Sequence, residues 1–151
     1  MSGIFWLIQD LLTVLMGTVR MPEIFLLFLV YRLFTSDRDA YVSVIWEAFF
    51  GGLLWDLRWV GVPFFTLCYV LVVMAVMSVW NTIPSSGRTT LVIFFLFWTA
   101  QLLPAVLSVL ILERKTGIMS WTLFGVQQGS AAPVSLLSAF FYFQHEKNKN
   151  A

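Results

Sequence analysis

Asp10, Glu47 and Asp56 stand inside apolar stretches of the chain. There an ionisable side chain is costly and marks a packing device, a partner contact or a working site. Two acids acting together could protonate and hydrate a glycosidic bond. Glu47 and Asp56 lie nine positions apart, however, which on a helix places them on opposite faces. Other chemistries lack their parts. The sequence holds no HExxH, GxSxG or P-loop pattern. Cys68 is the one cysteine, so neither a disulfide framework nor a thiolate metal site can be assembled from this chain. His145 is alone in a polar tail, and no cofactor is needed to account for any residue.

The spacing around Asp56 is more telling than its charge. In AFFGGLLWDLRW, which begins at Ala48, the residues Ala48, Gly52 and Asp56 recur every fourth position and share one helix face. Small residues at that interval let another helix approach closely, and Asp56 stands at the foot of the groove they make. Glu47 and Gly51 form a neighbouring stripe. Three roles are open for Asp56: accepting hydrogen bonds from an adjacent helix or the following turn, contacting an ion or substrate, or contacting a partner. Further polar seams are expected at Asp10, Thr13 and Gly17; at Gln101, Ala105 and Ser108; and at Gly125, Gly129, Ala132, Pro133, Ser135 and Ala139, with Gln127 and Gln128 beside the last. Each can pack helices together or line a ligand cavity.

The elements that position these residues follow from composition. Of the 151 residues, 60% are hydrophobic and 11% charged, against about 25% charged in a soluble domain. No Asp, Glu, Lys or Arg occurs between Arg58 and Arg88, between Arg88 and Glu113, or between Lys115 and Glu146. Each gap is long enough for a spanning helix of roughly 20 apolar residues. The net charge of +1 offers no basic surface for nucleic acid. The N-terminus has no basic region or small-residue cleavage site, so a retained first segment is expected.

Six helical segments are expected: Ile4–Val19, Ile24–Phe34, Tyr41–Leu57, Val62–Trp80, Thr90–Leu112 and Ile118–Tyr142. The first two are short for spans and suit a tilted or half-buried pair. Pro22 marks the start of the second, because a missing N–H costs nothing in a first turn. Asp37 and Asp39 are placed to cap the third, and Pro104 to kink the fifth. Several of the seven tryptophans fall near segment ends, at headgroup depth. The runs are apolar on every face, which excludes a β-barrel. One membrane domain over residues 1–144 and a polar tail over 145–151 account for the chain. Basic residues divide almost evenly between the two sides. The basic tail tips both ends toward the cytoplasm.

At segment three the residues suggest a family. Gly51–Gly52–Leu53–Leu54–Trp55–Asp56–Leu57, followed by Gly61–Val62, resembles the signature of the bacterial rod shape-determining protein MreD family. There a small-residue helix ends in Gly-x-x-x-Asp, and after a short turn a glycine opens the next helix. The stretch from Arg20 through Pro22 and Glu23 to Tyr31 is similar to that family's proline-led second segment. The resemblance implies an all-α fold of about six transmembrane helices, like the substrate-binding subunits of energy-coupling-factor transporters. It also implies a noncatalytic role in the wall-elongation machinery of the bacterial inner membrane, with MreC and peptidoglycan synthesis proteins as partners. The alternative is the membrane subunit that binds a small molecule, such as a vitamin, for a transporter.

Overall fold

Where long apolar sequence leaves no water for the backbone, each N–H and C=O must find its partner within the chain, and helix is the local solution. The computed structural model describes residues 2–16, 22–84, 87–116 and 121–149, and every regular element among them is helical. The α-helices are α1 (Ser2–Met16), α2 (Ile24–Thr35), α3 (Tyr41–Trp55), α4 (Phe64–Thr82), α5 (Thr90–Ala100), α6 (Leu102–Thr116) and α7 (Trp121–Lys149). A 3-10 turn, Arg38–Ala40, leads into α3, and a π turn, Asp56–Val60, ends it.

Among the described residues, three helical stretches are long and apolar enough to cross a membrane: Arg38–Val60, Phe64–Thr82 and Thr90–Ile111. The expectation of six such spans is thus met in three. The apolar stretches Ser2–Leu15 and Ile24–Thr35 are shorter. In α7, Gln127, Gln128 and the polar end dilute a helix of ample length. That helix also continues past the expected segment end at Tyr142, through His145 to Lys149.

The first three helices, α1, α2 and α3, run antiparallel in succession, as their contacts show. Phe5 stacks on Phe28 at 4.1 Å, while Gln9 accepts from Phe25 N–H. Arg32 pairs with Glu47, while Phe25 lies against Gly51. The core is centred on α2 and α4. Leu26, Leu29, Val30 and Leu33 of α2 are buried together with Tyr69, Val73 and Trp80 of α4, and Phe97 of α5 closes over them. Trp55 and Trp80, near the ends of α3 and α4, are buried against protein. Trp55 packs on Phe65, and Trp80 lies between Phe34 and the Arg88 guanidinium, so both belong to the core. Trp46 and Trp121 are exposed.

The fifth apolar run is interrupted at a single turn residue, close to the expected kink. Pro104 has no N–H for the Ala100 carbonyl and its ring crowds that oxygen, so α5 ends at Ala100. Gln101 stands in a turn, and Ala105 N–H restarts the ladder on the Gln101 carbonyl at 3.1 Å. Pro22 lies two residues before α2, just outside its N-cap Glu23. Asp37 makes no side-chain cap bond.

The glycines divide by what surrounds them. A Cβ on Gly52 would stand 2.6 Å from Thr66 Cα, whereas one on Gly125 or Gly129 would meet nothing within 4 Å. The expected seam at Gly125 and Gly129 is therefore corrected: both are exposed, and α7 turns inward the face carrying Gln128, Ala131, Ser135, Ala139 and Tyr142. Gly52→Ala should lower stability by about 1–3 kcal/mol through overpacking, while Gly125→Ala should be neutral or slightly stabilising. Thermal unfolding in detergent, followed by circular dichroism, measures both. Equal midpoints for the two variants would contradict the close α3–α4 approach.

Candidate functional site

Two buried polar centres hold the helices, and each begins with the same deficit. The first turn of any helix has N–H groups without intrahelical acceptors, and no described side chain at the N-caps of α2 or α4 supplies one. Both helices are capped by residues from elsewhere in the fold.

At α4 the cap is Asp56. Its Oδ1 accepts from Phe65 N–H at 2.9 Å, and its Oδ2 accepts from Thr66 N–H at 2.7 Å and Thr66 Oγ1–H at 2.6 Å. The carboxylate thereby sits against the positive end of the helix. One turn earlier, Gly52 has no side chain and lets α3 rest on the Thr66 backbone. One turn later the chain reverses: Gly61 N–H bonds the Asp56 carbonyl at 2.6 Å, and Gly61 adopts φ of +79°. A residue with a Cβ is disfavoured in that conformation. Ala48 continues the same buried face. Gly52, Asp56 and Gly61 thus form one clamp around the α3–α4 turn.

At α2 the caps are two side chains, one from α1 and one from the α5–α6 turn. Gln9 Oε1 accepts from Phe25 N–H at 2.7 Å, and Gln101 Oε1 accepts from Glu23 N–H at 2.6 Å. The Glu23 carboxylate accepts the Tyr69 hydroxyl at 2.6 Å and the Gln9 amide. Gln128 Nε2 then donates to the Gln101 carbonyl at 3.2 Å, beside the bond that oxygen accepts from Ala105 N–H. Helices α1, α2, α4 and α7 and the α5–α6 break meet here, and Gln9, Glu23, Gln101, Gln127 and Gln128 are all buried.

The remaining carboxylates tie pairs of helices. Asp10 Oδ1 accepts from Arg58 Nε–H at 2.8 Å and Trp59 Nε1–H at 3.1 Å, fastening α1 to the end of α3. Glu47 forms an ion pair with Arg32 of α2 and accepts from Ser43. Trp6 Nε1 donates to the Gly51 carbonyl at 3.1 Å, while the Phe25 ring fills the space left by the missing Gly51 side chain.

Of the residues singled out in the sequence, Gly52, Asp56 and Gly61 are brought together, and Gln101 joins the second centre. Asp10 and Glu47 serve separate pairs. Thr13 bonds back to the Gln9 carbonyl, and Gly17 lies outside the described residues. The sequence reading missed Glu23, Gln9 and Tyr69. The one signal was an acid directly after Pro22, at a helix start. Among the described residues, no three His, Cys, Asp or Glu side chains gather as a metal site would need.

This arrangement positions helices through charge-assisted hydrogen bonds in a medium without competing water. Compared with known proteins, the chain matches no family model, no curated protein and no solved structure. The fold itself defines an all-α chain of apolar helices consistent with a multi-span membrane protein.

Deleting a buried acceptor leaves its donors unsatisfied, at about 1–3 kcal/mol for each buried group, and Asp56 accepts from three donors. Asp56→Ala should therefore destabilise far more than Asp10→Ala, because Arg58, the partner of Asp10, is half exposed. Gln9→Ala and Glu23→Ala should be non-additive by about 0.5–3 kcal/mol in a double-mutant cycle. Additive losses would show that Gln9 and Glu23 do not act on each other.

Proposed function

We propose that this chain is a noncatalytic scaffold of the bacterial inner membrane. In this reading it crosses the bilayer with about six helices, arranged like the substrate-binding subunits of energy-coupling-factor transporters, and has both ends in the cytoplasm. It joins an MreC-type protein to peptidoglycan synthesis proteins and so helps maintain rod shape. The observation that carries this reading is the α3–α4 clamp. Gly52, Asp56 and Gly61, the residues on which the resemblance to the MreD family rests, work as one structural device. A device that fixes a hairpin supports a holding role better than a reacting one.

The clamp also fixes which side of α3 faces outward. Trp46, Phe49 and Phe50 cluster there in mutual ring contact, with Leu54 exposed one turn further along. Clustered aromatic side chains are common anchors at interfaces. This face is the proposed contact for a partner's membrane helix.

Capture from native bacterial membranes in mild detergent tests the reading. The wild-type chain should recover an MreC-type protein and wall-synthesis proteins. Trp46→Ala/Phe50→Ala should lower that recovery by roughly tenfold or more while leaving the unfolding midpoint nearly unchanged. Consistent recovery of transport ATPases in their place, or a bound vitamin, would replace the scaffold with the transporter-subunit alternative.

A further inference from the structure

Glu23 is buried, and it takes part in neither of the ion pairs found among the described residues. Arg32 pairs with Glu47 and Arg58 with Asp10, while the Arg88 guanidinium lies over Trp80. Arg38 stands beyond the end of α2, and His145 and Lys147 lie about five turns past Gln128 on α7. What faces the Glu23 carboxyl is uncharged or acidic. α1 presents Gln9, with Asp10 beside it, and α4 presents Tyr69 and Cys68. The α5–α6 turn and α7 bring Gln101 and Gln128. From the end of α3, Asp56 shares the neighbourhood of Cys68 with Glu23.

A carboxylate removed from water with no cation beside it is costly, and binding a proton relieves the cost. The contacts here allow that proton. Both the Tyr69 hydroxyl and the Gln9 amide donate to one oxygen, Oε2. With Oε2 as the carbonyl oxygen and the proton on Oε1, both bonds persist and the charge is gone. Glu23 precedes α2, outside the stretches long enough to cross a membrane. Burial pushes its carboxyl up from 4.5 to about 7, against the pull of the Tyr69 and Gln9 hydrogen bonds.

We propose that Glu23 is a proton-binding site, and that its proton strengthens the joint of α1, α2 and α4. One proton comes from solvent and no other reactant is needed, so the site is independent of the scaffold reading. The folded chain takes that proton at about pH 7, whereas an unfolded chain, with the carboxyl in solvent, takes it at about 4.5. Between the two values the folded state holds one more proton, and stability therefore falls as the pH rises.

Equilibrium unfolding of the full chain in mixed micelles, driven by sodium dodecyl sulfate at a series of pH values, tests the proposal. Glu23→Gln keeps an acceptor oxygen for Tyr69 and Gln9 but cannot ionise. The unfolding constant of the wild type relative to Glu23→Gln should rise by up to about tenfold per pH unit between 4.5 and about 7, then level off. Taking the ratio cancels every other titrating group. Tyr69→Phe withdraws a hydrogen bond that favours the carboxylate, so in that background the same ratio should level off at higher pH. Loss of packing alone would not move that point. Infrared spectra of the wild type on the acid side should show the C=O stretch of a protonated carboxyl that Glu23→Gln lacks. A ratio that stays flat or falls with pH, a Glu23→Gln chain less stable than the wild type above neutrality, an unmoved plateau in Tyr69→Phe, or no such infrared band would each overturn the proposal.

Discussion

A helix that begins inside a membrane exposes N–H groups to a medium that offers them nothing, and this deficit organises the whole molecule. Two helices here start with no described cap of their own, and both are rescued from a distance in space. Asp56 closes the start of α4, and Gln9 and Gln101 close the start of α2. The apolar core then needs only to fill the space between elements whose relative positions these hydrogen bonds already restrict.

Close approach and polar rescue depend on each other. Asp56 reaches Thr66 only because Gly52 allows α3 to touch the α4 backbone, and the turn closes only because Gly61 takes a left-handed conformation. In the second centre the turn residue Gln101 joins two helix ends: its carbonyl accepts from Gln128 as well as from Ala105 N–H, and its side chain accepts from Glu23 N–H. An irregularity in one helix thus satisfies the irregular beginning of another.

The parts of this scheme differ in how visible they are in the sequence. The Gly52–Asp56–Gly61 set was legible because its members are four to five positions apart and act within one hairpin, where helical periodicity fixes their geometry. The Gln9–Glu23–Tyr69 group was not. Its members are separated by 14, 46 and 60 positions, and only the tertiary arrangement of the helices brings them together. Small residues on α7 misled for a related reason. Gly125 and Gly129 permit a close neighbour without creating one, and the buried face is set by where α5 and α6 lie. Tryptophans near segment ends carry the same ambiguity. Trp80 is held in the core by Phe34 and Arg88, contacts that local composition cannot foretell.

The Asp56 bridge also bears on how the chain is made. During synthesis α3 leaves the ribosome before α4, so its carboxylate emerges ahead of the N–H groups that will receive it. An isolated α3 entering lipid would carry that group unanswered, at a penalty of several kcal/mol. Entry of the two helices as a preformed pair removes the penalty. The hairpin is therefore the natural unit of insertion.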